Sequence, residues 1–179
     1  MFLETERLII RRLTDDDFFD FFTIAADKEM CRLMGRADLT NIINARITFN
    51  WLKDREECGC AIVLKETEQF IGNLTVSMPS QFVEDHPDLI GKQGCSLSFC
   101  ISREHRRRGL MYEAVSAVID HLFVERDMDF VNCGYFHFNE PSKLLQKKLG
   151  FENLLVEHII INEDIDVYEN ILWNRRKSA

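Results

Sequence analysis

The sequence of 179 residues lacks any apolar run approaching the roughly 20 residues that a membrane-spanning helix needs. It also lacks internal repeats, low-complexity stretches and obvious linkers, so we expect one domain over residues 1–179. Charge appears at the fourth residue, unlike in a secretory signal peptide, and this favours a cytoplasmic protein without membrane contact. The composition, 46% hydrophobic and 29% charged, is typical of a globular domain.

Neither a disulfide framework nor a zinc site is indicated by the cysteines. The six of them are Cys31, Cys58, Cys60, Cys95, Cys100 and Cys133. They are scattered, and several lie in apolar, strand-like segments, so we expect small buried residues in a reducing compartment. Cys58 and Cys60 have no second pair at zinc-ligand spacing, so no metal site is predicted.

Positive charge is also scarce, because 22 Lys and Arg face 30 Asp and Glu, giving a net charge of −8. Such a chain repels polyanions as a whole, so a nucleic-acid partner is not expected. A local basic cluster is therefore informative, and one is formed by Arg103, Arg106, Arg107 and Arg108.

Strand and helix patterns fill the first third of the chain. Residues 7–13 form a candidate strand, and Thr14 begins a helix with Asp17 as a capping partner. A second helix is predicted from residue 40 to 54. Its expected inward positions are Ile43, Ile47, and Trp51 or Leu52.

Hairpins flank the centre of the chain. Residues 60–65 and 70–78 predict one hairpin, and residues 155–161 and 165–173 predict a second around the turn Asn162–Asp164. Between them, residues 79–94 contain two prolines and two glycines and are predicted to be a loop.

The central segment predicts a β-α-β unit. Residues 95–102 are a short strand, residues 103–108 a polar loop, and residues 109–127 an amphipathic helix that is followed by the strand 130–136. The two strands should be parallel with a right-handed crossover. A further helix is expected from Pro141 to Leu149, and the alternation of elements predicts a mixed α/β sheet.

The segment His105–Tyr112 lies where the central loop meets its helix. A helix start offers unpaired N–H groups and partial positive charge, Gly109 permits close approach of an anion, and arginines add forked donors. The segment therefore predicts a phosphorylated ligand, although a solvated basic turn is the alternative. Neither a Walker motif nor a dinucleotide GxGxxG pattern is present, so the ligand is not specified by this pattern.

Two motifs in order resemble those of the GCN5-related N-acetyltransferase (GNAT) superfamily. Ile101–Met111 resembles its pyrophosphate-binding pattern Gln/Arg-x-x-Gly-x-Gly/Ala, and Asn139–Ser142 with Lys147–Phe151 resembles its Asn-x-x-Ser…Lys-x-Gly-Phe signature. The segment Glu4–Arg12 is similar to the opening strand of the ribosomal-protein (RimJ/RimL-like) branch. The resemblance covers about residues 3–173.

This resemblance implies a single N-acetyltransferase domain that binds acetyl-CoA. The implied fold is a GNAT-type mixed, mostly antiparallel sheet flanked by helices, with acetyl-CoA between the central splayed parallel strands 95–102 and 130–136. Met111 stands where the family has a small residue. The implied cofactor-binding residues are Phe99, Cys100, Ile101, Arg106, Arg107, Arg108, Gly109, Leu110, Met111, Tyr112, Asn139 and Ser142.

Direct attack of an amine through a tetrahedral intermediate needs a neutral amine, a stabilised oxyanion and a protonated leaving thiolate. A backbone N–H near Phe99–Ile101 suits the oxyanion. Ser142 is the predicted catalytic residue at the sulfur, because Gln146 stands where many relatives have a tyrosine. No general base is evident, since Ser96–Phe99 replaces the branch's Glu-containing strand. Weak candidates are His86, Glu84, His137 and His105.

A site without a strong base favours an amine of low pKa. An α-amine, with a pKa of about 7.7–8.0, is more readily neutral at pH 7 than a lysine amine near 10.4, a difference on the order of 3.5 kcal/mol. The leading hypothesis is acetylation of a protein N-terminus or a small primary amine. Alternatives are a polyamine or antibiotic-amine acetyltransferase and a non-catalytic CoA-binding regulatory module. The oligomeric state is left open between a monomer and a homodimer, because many members of the family dimerise.

Overall fold

Eight strands and six α-helices form in the part of the chain that the computed structural model describes, which is residues 1–54, 59–161 and 163–177. The strands are β1 (Leu3–Glu4), β2 (Leu8–Arg12), β3 (Gly59–Leu64), β4 (Gln69–Ser77), β5 (Gly94–Ile101), β6 (Phe130–Phe136), β7 (Glu152–Ile161) and β8 (Glu163–Trp173). The helices are α1 (Phe18–Ala25), α2 (Lys28–Met34), α3 (Ile42–Asp54), α4 (Gln81–Glu84), α5 (Leu110–Val124) and α6 (Glu140–Leu149).

The chain forms two compact units. The first contains Met1–Val76 and Phe99–Ala117, and the second contains Ser77–Ser98 and Val118–Ala179. Strands β4 and β5 and helix α5 each contribute residues to both units. A single domain over residues 1–179 stays a prediction.

In the first unit the strands follow the order β1-β2-β3-β4-β5. Neighbouring strands β1 to β4 are antiparallel, and the amide of Ser102 donates to the carbonyl of Ile71 at 2.8 Å just beyond β5. Every residue of β3 is buried, as expected for a strand with apolar side chains on both faces. The predicted strand 7–13 and the hairpin 60–78 are confirmed.

Helix α3 confirms the predicted helix but buries a different face. Ile43 and Ile47, which the sequence placed inward, are 66% and 63% exposed, so this assignment was wrong. Leu52, not Trp51, lies inward. The reason is Phe49, which is fully buried with its ring centroid 5.4 Å from that of Phe18 on α1. An aromatic pair contributes more than an isoleucine face, so it sets the rotation of the helix.

The predicted capping at Thr14 is confirmed. Thr14 and Asp17 form a capping box around a single 3₁₀ turn, Asp15–Asp17, that leads into α1. The buried Asp17 carboxylate also accepts two hydrogen bonds from the Arg11 guanidinium, at 2.7 and 2.8 Å. Burial raises the pKa of the Asp17 carboxyl, but hydrogen bonds from Arg11 and Thr14 outweigh it, and the pKa is lowered.

Asp17→Asn is expected to lower the free energy of unfolding by about 2–3 kcal/mol at pH 7, because a buried ion pair and a cap lose their charge. The folded-state pKa of Asp17 is lowered, so the wild-type advantage exists above the unfolded pKa and declines as pH falls through the folded pKa. Urea unfolding of both proteins between pH 7 and pH 2 measures this difference. If the difference in free energy of unfolding between the two proteins does not become smaller at low pH, Asp17 does not stabilise the fold as a charged group.

In the second unit the strands follow the order β5-β6-β8-β7. Strands β5 and β6 are parallel, with Gly94 beside Phe130, which confirms the predicted parallel pair. Strand β8 is antiparallel to both β6 and β7, so the closing hairpin is confirmed, although Asn162 of its predicted turn lies outside the described residues. A Cβ at Gly94 would overlap the ring of Phe130, so this position requires glycine.

Two short helices depart from the sequence-based expectation. The predicted loop 79–94 contains α4 and a 3₁₀ turn at Pro87–Leu89, and no pattern pointed to α2. The loop region is ordered by burial, since Val83 and Leu89 pack in one apolar cluster with Phe130 and Ile171.

None of the helices described is long and apolar enough to cross a membrane. Nor do the described residues place three or more His, Cys, Asp or Glu side chains where they could hold a metal ion. Of the pair considered for zinc, Cys60 is buried and Cys58 lies outside the described residues. The described cysteines are all buried free thiols.

Candidate active site

The loop between β5 and α5 has two residues in the left-handed conformation. Arg107 has φ +60° and Gly109 has φ +77°. A Cβ at Gly109 would meet only Arg7 Nη2, at 3.6 Å, so glycine is favoured here by the backbone angle and not by crowding. Left-handed residues within a turn direct neighbouring amides into a concave surface, and such surfaces bind anions.

The first turn of α5 adds further amide groups. The Glu113 amide donates to the Gly109 carbonyl at 3.1 Å, and this bond closes the turn. The first N–H groups of a helix have no acceptor within that helix, so those of Leu110 and Met111 are available to a ligand. Leu110 is buried and the Met111 side chain is half-buried. The predicted anion-binding segment therefore has a backbone conformation in which amides are exposed at the start of a helix, and its binding of an anion stays a prediction.

A second set of contacts holds the first half of the β5–α5 loop in place. Ser102 Oγ and His105 Nδ1 are 2.7 Å apart, and both residues are buried. Arg106 donates through Nη1 to Glu29 at 2.8 Å and through Nε to the Ile101 carbonyl at 3.4 Å. The predicted base candidate His105 thus supports the loop, and Arg106 is held by an acidic partner.

Arg107 and Arg108 differ from Arg106. Both are exposed, and within the described ranges neither side chain forms an ion pair. Arg107 and Arg108 are therefore the arginines available to a phosphate, and forked guanidinium donors suit that group.

A carboxylate in the first turn of α5 is neutralised by the amino-terminal segment. Glu113 accepts from Thr5 Oγ1 at 2.5 Å and from Arg7 Nε at 2.7 Å, while Arg7 Nη1 donates to the Arg108 carbonyl at 3.1 Å. Burial raises the pKa of Glu113, but the hydrogen bonds from Thr5 and Arg7 outweigh it and lower the pKa. The sequence did not predict this contact, because Glu113 lies 108 residues from Thr5 and 106 residues from Arg7 in the chain.

The end of β5 holds Phe99, Cys100 and Ile101, the predicted pantetheine and oxyanion positions. Cys100 is buried and its Sγ donates to Asn73 Oδ1 at 2.9 Å. Burial raises the pKa of the Cys100 thiol to about 11, so it is not a nucleophilic thiolate at neutral pH. A Cβ at Gly72 on β4 would collide with the Cys100 carbonyl, so glycine there allows close strand approach.

In the second unit, Asn139 and Ser142 open helix α6. Asn139 Oδ1 accepts from the Ser142 amide at 3.2 Å, so Asn139 caps helix α6. Gly150 ends the helix with φ +89°, and the helix predicted from Pro141 to Leu149 is confirmed. The Ser142 side chain is half-buried.

The Ser142 hydroxyl belongs to a chain of amides. Gln146, which has no exposed surface, donates from Nε2 to Ser142 Oγ at 3.1 Å. Its Oε1 accepts from Asn170 Nδ2 at 2.8 Å, and Asn170 Oδ1 accepts from Asn153 Nδ2 at 3.2 Å. Because Gln146 uses the hydroxyl as an acceptor, the hydroxyl proton remains available to donate to another group.

The remaining base candidates occupy ordinary structural positions. His137 Nδ1 accepts from the Asp166 amide at 3.3 Å, and His86 Nδ1 accepts from the Asp88 amide at 3.4 Å. Glu84 is exposed at the end of α4. The geometry of these three residues gives no reason to prefer any one of them as a base.

The strand order, the parallel β5–β6 pair and the flanking helices define the α/β GNAT fold. The acetyltransferase (GNAT) domain family matches residues 7–152, so this chain belongs to the GNAT acetyltransferases. It is an enzyme of the acyltransferase class.

Curated and solved relatives agree with this assignment. An uncharacterized N-acetyltransferase, YoaA of Bacillus subtilis, is 27% identical over 154 residues, which are 84% of this chain and 82% of YoaA. A GNAT-family acetyltransferase from Bacillus anthracis has a TM-score of 0.84 at 17% identity, covering 98% and 99% of the two chains. Spermidine N-acetyltransferase from Vibrio cholerae, solved with CoA and spermine, has a TM-score of 0.76 at 15% identity, covering 98% and 100%. At these identities the solved structures define the fold alone.

Proposed function

We propose that this acetyltransferase moves the acetyl group of acetyl-CoA to a primary amine by direct attack. The observation that carries the proposal is the left-handed loop Arg107–Gly109 leading into the first turn of α5. Free amides at the start of a helix suit a diphosphate, and Arg107 and Arg108, which form no ion pair among the described residues, would supply positive charge in an otherwise acidic molecule. The CoA complex of the Vibrio cholerae relative supports the same donor.

The other predicted cofactor residues take subsidiary roles in the proposal. Backbone groups of Cys100 and Ile101 would meet the pantetheine arm, and an amide near Phe99 would stabilise the oxyanion. Asn139 would hold the first turn of α6, and with it Ser142, in place through its hydrogen bond to the Ser142 amide. Ser142 would donate its free hydroxyl proton in a hydrogen bond to the departing thiolate, whose solution pKa of about 8–9 requires only modest help.

Ser142→Ala is expected to lower kcat by about 10- to 100-fold, the effect of losing one hydrogen bond to a developing charge. Stabilisation by CoA should persist, because the diphosphate contacts are unchanged. Steady-state kinetics and melting temperatures measure the two quantities. Ser116→Ala, at a half-buried serine of α5, is the matched control. An unaltered kcat in Ser142→Ala would remove this role.

For the acceptor we propose a primary amine, either a peptide α-amine, as in the RimJ/RimL-like branch, or a small amine such as a polyamine. The similarity of Glu4–Arg12 to that branch supports the peptide, and the spermine complex of the Vibrio cholerae relative supports the polyamine. Buried reduced thiols support a cytoplasmic setting for either.

Thiol release from acetyl-CoA with a panel of amines tests the proposal. The panel contains a Ser/Ala-starting peptide, spermidine, an aminoglycoside and a lysine peptide. Turnover with the α-amine peptide or spermidine is the expected result. CoA-dependent stabilisation without turnover on any member would contradict the proposed reaction, and turnover on the aminoglycoside alone would redirect the acceptor class.

A further inference from the structure

A half-buried carboxylate lies against a glycine on β6. Glu169 of β8 is the cross-strand partner of Gly134, and a Cβ at Gly134 would be 2.7 Å from Glu169 Oε1. Asn132 Nδ2 donates to Glu169 Oε2 at 2.6 Å. Glycine therefore leaves the space that the carboxylate occupies, and Asn132 fixes its orientation through one oxygen only.

A second carboxylate shares this face of the sheet. Leu155 of β7 is opposite Glu169, so Glu157, two residues further along, points to the same side. Glu157 Oε1 is fully buried and, within the described part of the chain, has no hydrogen-bond partner. Burial raises the pKa of the Glu157 carboxyl group, and a hydrogen bond from Ser80 to that group opposes the rise. An unpartnered buried acceptor is costly, so Oε1 is an oxygen to which a bound ligand could donate.

Among the described residues, no Lys or Arg side chain forms an ion pair with either carboxylate. Burial raises the pKa of Glu169, opposed by the Asn132 hydrogen bond and assisted by the charge of Glu157. The other titratable neighbour is the Cys133 thiol, whose pKa is raised by burial and by Glu169, so it stays neutral. A carboxylate that is partly buried beside another carboxylate accepts a proton more readily than an exposed glutamate does.

The Ser142 network lies on the other side of the same strands. Asn170 follows Glu169 in β8, so their side chains point to opposite faces, and Asn170 binds Gln146, which binds Ser142. Gln146 Nε2 also contacts the Gly134 carbonyl at 3.5 Å. Gly134 is thus flanked by a hydroxyl donor network and a carboxylate acceptor.

We propose that Glu169 is the general base that takes the proton from the acceptor amine, a role that rests on the proposed acetyl transfer. The amine nitrogen bonds to the acetyl carbon, the carbon–sulfur bond breaks, and the sulfur leaves with the electron pair. Glu169 receives the ammonium proton and passes it to solvent, and the thiolate, which accepts a hydrogen bond from the Ser142 hydroxyl, takes a proton from solvent. The two proton transfers are thereby kept on separate faces of β6.

The decisive measurement is the pH dependence of kcat/KM for wild type, Glu169→Gln and Glu169→Asp. For wild type, the value should rise with pH through the ionisation of Glu169, above the ordinary pKa of a glutamate, in addition to any titration of the acceptor. In Glu169→Gln this rise with pH, the acidic limb of the profile, should be absent, and kcat/KM should fall about 10²- to 10⁴-fold. Glu169→Asp should restore part of the lost activity. Stabilisation by CoA should remain, which shows that the fold and the donor site are intact.

Glu157→Gln tests the same base without touching it. Removing this neighbouring charge should move the acidic limb to lower pH, whereas Glu152→Gln, at an exposed position of β7, should leave it in place. Glu169 is not the base if Glu169→Gln keeps the acidic limb of the pH profile and a kcat/KM within about threefold of wild type. If Glu169→Gln does not fold, an unmoved limb in Glu157→Gln overturns the assignment. If the wild-type protein transfers no acetyl group to any amine, the proposed function itself is wrong, and Glu169 then has no role as a base.

Discussion

Reversing the charge of Arg107 and Arg108 together, as Arg107→Glu with Arg108→Glu, is expected to abolish stabilisation of the protein by CoA. The two side chains are exposed and make no ion pair within the described residues, so their loss costs the fold little. Each charge-assisted bond to a phosphate contributes about 1.5–3 kcal/mol. Losing both, and adding repulsion, should weaken binding by more than about 100-fold.

Melting temperature with and without CoA measures this effect. At about 100 times its dissociation constant, CoA should stabilise the wild type by about 2.7 kcal/mol, or roughly 5–11 °C for a chain of this size. The double variant should show almost none of this shift. Arg175→Glu with Arg176→Glu reverses two exposed arginines of a 3₁₀ turn in the second unit and is the matched control. Equal shifts in both double variants would disprove the role of the loop.

Replacing Gln146 with leucine is expected to destabilise the protein by about 3–5 kcal/mol. Gln146 is fully buried, and its loss leaves the Asn170 amide and the Ser142 hydroxyl without their partners. Each buried polar group left unpaired costs about 1–3 kcal/mol, and the added apolar contact only partly offsets this. The variant should also lose activity to the extent of Ser142→Ala, because the Ser142 hydroxyl is no longer oriented.

Urea unfolding and steady-state kinetics test both consequences. Lys147→Leu introduces the same residue on the exposed side of α6, where a change within about 0.5 kcal/mol is expected. If Gln146→Leu unfolds at the same urea concentration as Lys147→Leu, the amide network does not contribute as described. If it is destabilised but retains full kcat, Ser142 does not depend on Gln146.

The sequence predicts the parts of this fold whose signals are local. The helix α5 has paired apolar residues every fourth position and a glycine at its start, so a helix was predicted over residues 109–127, and Leu110–Val124 is observed. That the preceding loop binds an anion stays a prediction. Thr14 and Asp17 gave a correct cap for the same reason. Short helices such as α2 and α4 escaped because one or two turns carry too few periodic positions to be distinguished from a polar loop.

The parts that could not be predicted depend on long-range pairing. Ile43 and Phe49 are both apolar, and the packing of Phe49 against the rings of Phe18 and Phe21, which are distant in sequence, accompanies the burial of its face of α3. Glu169 reaches Gly134 through the register of β6 with β8, across 35 positions of the chain. A lone glutamate in a strand pattern gives no indication that its carboxylate will lie over a glycine, and this is why the sequence did not suggest Glu169 as a candidate base.

Binding of the CoA diphosphate by the amides that precede and begin α5 is the claim on which the proposed chemistry depends. Amide chemical shifts of the ¹⁵N-labelled protein during titration with CoA test it most directly. Large changes are expected at Arg108, Gly109, Leu110 and Met111, and they should saturate together with the melting-temperature shift. Saturating CoA that leaves these four amides unmoved while others respond would contradict it.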